Sequence, residues 1–456
     1  MPSARHDRQL KLGAFLHVTG HHVAAWRHAS SEPRGIVSLA HHVELARIAE
    51  QGLFDLVFLA DNLTVSQSGV TALHHLSKAA HFEPLTLLSA LTAVTTHIGL
   101  VATATTSFNE PYNLARQFAS LDHLSGGRAG WNLVTSSNED EAYNFGLDEH
   151  LSPDVRYRRG REFAEVVRGL WDSFEDDAFV YDQQGGVFFD PAKLHRLDHR
   201  GVYFKVRGPL NVPRSPQGRP VVVQAGSSEA GKELAAETAE VVFTAHQNLD
   251  SATAFYRDLK DRLPRFDRSA SDLLVMPGIF PVVGATQQEA DDKFGELQEL
   301  ILPEVGVSLL SKMIGFDLSS FPVDGPVPDL PPHLHGSSRP ELLLAKARRE
   351  NLSIRGLYQG IAGARGHHQV VGTPERIADE MQSWFEADAA DGFNVMSPTL
   401  PGGLIDFVTF VVPVLQRRGL FRTRYEGSRL RDNLGLPVPK FRSRTGPLES
   451  GLGATQ

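Results

Sequence analysis

Between residues 55 and 136 the chain reads DLVFLA (55–60), IGLVATAT (98–105) and RAGWNLVTS (128–136), three short apolar runs separated by longer amphipathic stretches. Apolar runs without strict alternation suit strands covered on both faces, the condition of a parallel sheet. PYNLARQFASLDHLSGG (111–127) lies between the second and third; it opens on Pro at a first-turn position and ends on Gly, the punctuation of a helix. Outward from this core the alternation continues, with LGAFLH (12–17) before it and PVVVQAG (220–226), EVVFTA (240–245), LLVMPGIFPVV (273–283) and GFNVMSP (392–398) after it. Eight such runs, most followed by a helical segment, predict an α/β fold, the (β/α)8 or TIM barrel. A doubly wound dinucleotide-binding sheet is the rival, but it calls for G-x-G-x-x-G directly after the first strand, where HVTGHH (17–22) stands instead.

Two helices are marked further. SLAHHVELARIAEQG (38–52) is expected to bury Leu39, Val43, Ala46 and Ala49 before Gly52 ends it, and TPERIADEMQSWFEADAADG (373–392) starts on Thr373 as N-cap. Two stretches exceed what a bare barrel needs: an insertion after the fourth strand, about 173–219, and one after the seventh, about 303–370. Both are expected to build a lid and substrate pocket, through Phe188, Phe189, Tyr203 and Phe204 in the first and Leu309, Met313 and Phe316 in the second. A C-terminal tail over about 421–456 is expected to extend across the body or a neighbouring subunit, the whole of 1–456 forming one barrel domain.

Composition narrows the function. Among 456 residues there are 45 Lys and Arg against 54 Asp and Glu, a net charge of −9, which argues against nucleic acid or anionic membrane as partner. Cys is absent, so thiolate metal sites, Fe–S clusters and a Cys nucleophile are excluded. The N-terminus lacks a secretory core, and FVTFVVPVL (407–415) is too short to span a bilayer and is interrupted by Pro413, so a soluble cytoplasmic protein is expected.

Candidate site residues gather at the ends of the predicted strands, the barrel face that carries active sites. Asp61 closes the second strand and can accept hydrogen bonds from a ligand or simply cap a turn. Thr103 and Thr105 share parity on the third strand, so their hydroxyls point one way. Asn132, inside the fourth, needs a hydrogen-bond partner from ligand or backbone. After the fifth strand QAGSSEAGKELAAE (224–237) runs into a helix start with Ser227 and Ser228: a phosphate cradle, or an ordinary Ser N-cap. His21, with His17 second, is the acid–base candidate after strand one. Twenty His residues are present, yet no H-E-x-x-H occurs, and no metal site is expected.

LHVTGHHVAAWRH (16–28), FDLVFLADN (54–62), NEPYNLARQFASLDHLSGGRAGWNLVTS (109–136), EDEAYNFGLDEH (139–150), RGPLNVPRSPQGRPVVVQAGSSEAG (207–231), HHQVVGTPE (367–375) and DGFNVM (391–396) resemble the bacterial-luciferase-like flavin monooxygenases. The subgroup resembled is that of the nitrilotriacetate, EDTA, dibenzothiophene-sulfone and long-chain-alkane monooxygenases. The resemblance implies a two-component enzyme: reduced FMN supplied by a separate NAD(P)H:flavin reductase reacts with O2 to a C4a-peroxyflavin that oxygenates a small organic substrate. It implies Asp61, Thr103, Thr105 and Asn132 near the flavin ring, Tyr157 with Ser227 and Ser228 at the ribityl phosphate, and a dimer or tetramer. Pro153 departs from the pattern, which often has His four residues before Tyr157; Pro offers no side-chain donor. A deazaflavin-dependent oxidoreductase of the same superfamily and a non-catalytic flavin-binding barrel are the alternatives.

Overall fold

Eight parallel strands close a barrel in the computed structural model, which describes residues 8–65, 70–77, 79–329, 343–344 and 347–442. They are β1 Lys11–Phe15, β2 Leu56–Leu59, β3 Gly99–Thr105, β4 Ala129–Val134, β5 Val221–Gln224, β6 Val241–Thr244, β7 Leu274–Val283 and β8 Gly392–Val395. Each pairs with its neighbour in chain order, and β8 pairs with β1 to close the ring. All eight predicted runs are therefore barrel strands. The upper half of β7 pairs with a further strand, His368–Gly372, that stands outside the ring. Residues 330–342 and 345–346 of the insertion expected at about 303–370, and the tail beyond 442, lie outside the described residues.

Strand parity divides the side chains. Val57, Leu59, Leu100, Ala102, Trp131, Leu133 and Val222 face outward into the large core shared with the helices. Leu56, Phe58, Val101, Val221, Val223, Val241 and Met276 face the barrel axis. Helix 39–51 is present and buries His41, His42, Leu45, Ala46 and Ala49, with Val43 half-buried against the core. Only Leu39 departs from the expected stripe: it is exposed, and the buried face extends instead to two His residues, which do not register as apolar in the sequence.

The tail does not simply extend over the surface. Helix 430–434 sits under the strands' N-terminal ends, and Leu430, Leu434 and Leu436 complete the axial cluster. Polar locks surround this plug. Arg431 makes a bidentate pair with Glu240, 2.7 and 2.9 Å, just before β6, and Arg422 meets Asp55 at 2.5 Å just before β2. The turn LDHLSGGRAG (121–130) belongs to the same end. Gly126 takes φ 68°, Asp122 accepts from Ala129 N at 2.9 Å, and the Arg128 guanidinium is bonded to Ser125, Thr95, Ile98 and Thr92 oxygens. Much of the most family-specific motif is thus a structural turn opposite the site.

The insertion at 173–219 is also corrected. It follows helix 153–171, which runs away from the strands' C-terminal ends, and it packs on that helix's outer side: Phe204 lies edge-on to Phe163, and Glu162 accepts from the backbone of Val202, Tyr203 and Phe204. Arg214, in its last turns, pairs with Asp172 and reaches Pro439 O beneath the barrel. Phe188 is 64% exposed on a two-stranded hairpin rather than in a pocket. The insertion at 303–370 does adjoin the C-terminal face, sharing a core with Val23 and Ala24 of the loop after β1.

Burial raises the carboxyl of Glu240, but the guanidiniums of Arg431 and Arg219 outweigh it and hold the group down to about 2. Arg431→Met leaves that carboxylate without its main counter-charge and should cost about 3–5 kcal/mol in chemical denaturation. Because the folded pKa is depressed, this contribution is complete above the unfolded carboxylate range and drains away as pH falls from about 4.3 toward the folded value. Wild type should lose more stability than Arg431→Met across that window.

Candidate active site

The axial side chains change character towards the C-terminal end. Above the aliphatic layer, Phe15, Phe58 and Phe243 meet edge-on or tilted with centroids 4.9–5.7 Å apart. His367 stacks on Phe243 at 5.0 Å, and His21 stands edge-on to Phe15 at 4.5 Å. His21 is buried, and its Nε2 lies 2.9 Å from Phe15 O. A carbonyl can only accept, so Nε2 carries a proton and donates it, and in the neutral form of the ring Nδ1 would be the acceptor nitrogen.

On the β3–β4 side the wall is polar. Thr103 and Asn132 are register partners, both buried, with Asn132 Nδ2 donating to Thr103 Oγ1 at 2.8 Å. Asn132 Oδ1 is buried with no partner among the described residues. Flipping the amide would satisfy the oxygen and strand the nitrogen, so one end of this group lacks a protein partner either way. Leaving it so costs about 1–3 kcal/mol, a deficit that a bound polar ligand removes. Thr105 points the same way but is already engaged, accepting from Ser136 Oγ at 2.9 Å and Ser107 N at 3.1 Å. It ties together the loops after β3 and β4.

Asp61 sits apart from this pair. Its Oδ1 accepts from Asn62 N at 2.9 Å and faces His81 Nε2 at 3.1 Å, beside a cavity of about 240 Å³ lined by Leu16, His17, Asp61, His81 and Phe82. Asp61 therefore caps the turn through Asn62 N and also borders the cavity. The hydrogen bond to Asp61 raises the His81 pKa against a smaller opposing effect of burial.

A second cluster forms where β5 gives way to helix 229–238. Ser228 is the N-cap, its Oγ accepting from Gly231 N at 3.1 Å, and the same Oγ lies 3.0 Å from Tyr157 Oη. Gly226 and Gly231 face each other so closely that a Cβ on Gly231 would sit 3.1 Å from Ser228 Oγ and 3.3 Å from Tyr157 Oη. Ser227 and Ser228 are exposed, leaving a concave, hydroxyl-lined patch at a helix N-terminus, the surroundings an anion prefers. Pro153 begins helix 153–171, where its missing N–H costs nothing. Arg156 turns to the carbonyls of Thr135 and Ser136, and Arg158 pairs with Asp154 at 2.9 Å.

The structure thus brings together Thr103 with Asn132, and Tyr157 with Ser228, while Asp61 and His21 stand on other parts of the rim. Sequence reasoning missed His81, Phe243 and Ser136 as members of the face. Phe243 was legible as an inward position on β6; His81 lies 20 residues from Asp61 with no pattern to join them.

Residues 14–391 match the luciferase-like monooxygenase family. The chain belongs to that family. It is 52% identical over 435 residues to the N-acetyl-S-(2-succino)cysteine monooxygenase of Bacillus subtilis (strain 168), covering 95% of this chain and 98% of that one. It is 50% identical over 443 residues to nitrilotriacetate monooxygenase component A of Aminobacter aminovorans, covering 95% and 98%. A riboflavin lyase solved with modified FMN and riboflavin superposes with TM-score 0.82 at 33% identity, covering 95% and 98%. This luciferase-like barrel is a flavin-dependent monooxygenase. No helix among the described residues is long and apolar enough to cross a membrane.

The His81–Asp61 pair gives a direct check. In NMR titration the His81 ring of wild type should protonate above the ordinary histidine value of about 6.5, and Asp61→Asn should bring it back down. The pair's contribution is present at low pH and is lost as pH rises through the folded pKa of His81.

Proposed function

We propose that this monooxygenase works with reduced FMN delivered by a separate NAD(P)H:flavin reductase, and that it oxygenates a small organic substrate bearing carboxylates. The observation that carries the flavin assignment is the buried amide of Asn132, one end of which has no partner among the described residues, at the open end of a luciferase-like barrel. Reduced FMN would supply the two electrons with which O2 is split, one oxygen atom entering the substrate and the other leaving as water.

The chain's own residues orient and protect. Asn132 and Thr103 would hydrogen-bond the flavin, with Thr105 holding the adjoining loops through Ser136. Tyr157, Ser227, Ser228 and the first N–H groups of helix 229–238 hold the phosphate, and the Gly226–Gly231 approach leaves room for it. Phe15, Phe58 and Phe243 keep water from the reacting end. Asp61 orders the rim through His81. His21, with Nδ1 as acceptor, holds the proton that the oxygen transfer releases or consumes. The substrate class is supported by the Bacillus subtilis and Aminobacter aminovorans relatives, whose named substrates both carry carboxyl groups.

Anaerobic titration with oxidised and then photoreduced FMN tests the reading. The reduced form should bind at least about tenfold more tightly, and admitting O2 should give a transient absorbance distinct from both oxidised and reduced flavin. Asn132→Leu should weaken reduced-FMN binding about tenfold, the worth of a lost buried hydrogen bond. Equal affinity for both forms with no transient sinks the proposal. His21→Ala should lower product formed per O2 consumed; unchanged coupling removes the role given to His21.

A further inference from the structure

Residues 360–367 cross the C-terminal face between helix 354–359 and the strand at 368–372. They are pinned there: Val23 N donates to Ala362 O at 3.1 Å, and Gly363 lies against the Phe280 ring closely enough that a Cβ would come within 2.6 Å of it. Arg365 is carried in this segment on a left-handed backbone, φ 49°, followed by Gly366 at φ 98°. Its guanidinium donates from Nη2 to His21 O at 2.8 Å, and its Nε is buried without a partner among the described residues.

Four buried guanidiniums differ chemically from this half-buried one. Arg422 faces Asp55, Arg431 faces Glu240, and Arg214 faces Asp172 and Asp176. Arg128 has no carboxylate in contact but spends its donors on four backbone carbonyls and a hydroxyl. Arg365 has neither a carboxylate nor a full set of acceptors among the described residues. Burial alone opposes its charge, bringing the guanidinium down to about 10. Its neighbour His22 is pushed down to about 3 by burial and by the positive charges of Arg365 and His28, so the ring stays neutral rather than adding a second cation. A cation half-buried in this way, with its Nε cut off from solvent, is costly unless an anion joins it.

We propose that Arg365 is the anchor for a carboxylate of the substrate, which supplies the counter-charge the protein withholds. The inference rests on the monooxygenase reading for calling that anion the substrate. A planar carboxylate fits the fork of a guanidinium through two parallel hydrogen bonds, which a sulfone or an alkane cannot match. The backbone carbonyl of His21 holds Nη2 and so fixes the fork beside the residue given the proton-holding role. Arg365 lies on the β1–β7 side of the face, away from the Ser228 cluster after β5, so the two anion positions are distinct.

Calorimetric titration of the full chain in excess FMN tests this with nitrilotriacetate, succinate and succinamide as probes. Wild type should bind at least one of the two carboxylates and be indifferent to the neutral amide. Arg365→Gln should weaken that binding about tenfold to a hundredfold, and Arg365→Lys should recover part of it. Affinity for reduced FMN should stay within about twofold, because the flavin phosphate is held elsewhere; a parallel loss of FMN binding assigns Arg365 to the cofactor and overturns the proposal. Carboxylate binding that survives Arg365→Gln, succinamide binding as tight as succinate, or no carboxylate binding by wild type also overturns it. If Arg365→Gln fails to fold, the Lys variant and the succinate–succinamide comparison in wild type decide. Carboxylate binding through Arg365 without any preference for reduced FMN would leave the anion site standing and remove the flavin reading.

Discussion

A closed parallel barrel has two open ends, and the acidic residues just before its strands determine what becomes of one of them. Asp55 before β2, Glu240 before β6 and Asp391 before β8 each accept a backbone N–H from the start of a neighbouring strand: Leu12 N at 2.7 Å, Val222 N at 3.0 Å and Val275 N at 2.8 Å. The same carboxylates then face Arg422, Arg431 and Lys260. One group thereby fixes register between strands and presents a negative charge at the N-terminal rim. That ring of charge is what the tail answers, and once Arg422 and Arg431 are seated, Leu430, Leu434 and Leu436 are drawn under the axis as a plug. Breaking one partner would strand the other in a poor solvent, which makes the closure cooperative.

Everything at the opposite end follows from that closure. With one end sealed by leucines, the axial space can be graded: aliphatic below, aromatic at the level of Phe15, Phe58 and Phe243, polar at Thr103 and Asn132. A reactive cofactor needs such a gradient, since water must be kept from one side of it while its polar edge finds hydrogen bonds. The β7 extension serves the same end. Its upper half leaves the ring to pair with 368–372, and this carries residues 360–367 across the mouth.

How much of this could be read from the chain depends on how local the signal is. Strand runs and helix caps are local, so all eight strands and the caps at Gly52, Ser228 and Thr373 were legible. Pairing of Asp61 with His81, or of Arg431 with Glu240 across 191 positions, depends on tertiary closure and leaves no periodic trace. The direction in which a connection projects was the misleading case. The aromatic insertion at 173–219 looked like a lid because of its composition, but it follows a helix rather than a strand, and so it emerges at the wrong end of the barrel. Chain order relative to strand and helix, not composition, was the informative feature there. The motif LSGGRAGWNL likewise reads as a site signature, yet only Asn132 in it reaches the open face; Gly126 and Arg128 build a turn underneath.

The same distinction separates how charged groups are used at the two ends of the barrel. At the closed end the charges are matched within the chain: Glu240 accepts two guanidinium bonds and a backbone N–H, and Arg128 has five acceptors. Unpartnered polar atoms occur at both ends among the described residues, Arg431 Nε and Arg422 Nη1 below and the Asn132 amide and Arg365 Nε above, so a deficit by itself does not mark function. Each costs stability that a local substitution could restore. What sets the upper two apart is their place on the open face, a neutral amide on the β3–β4 side and a cation on the β1–β7 side, where the flavin and the carboxylate proposed above would reach them. The polarity of the barrel mouth is, in that sense, a negative image of what it holds.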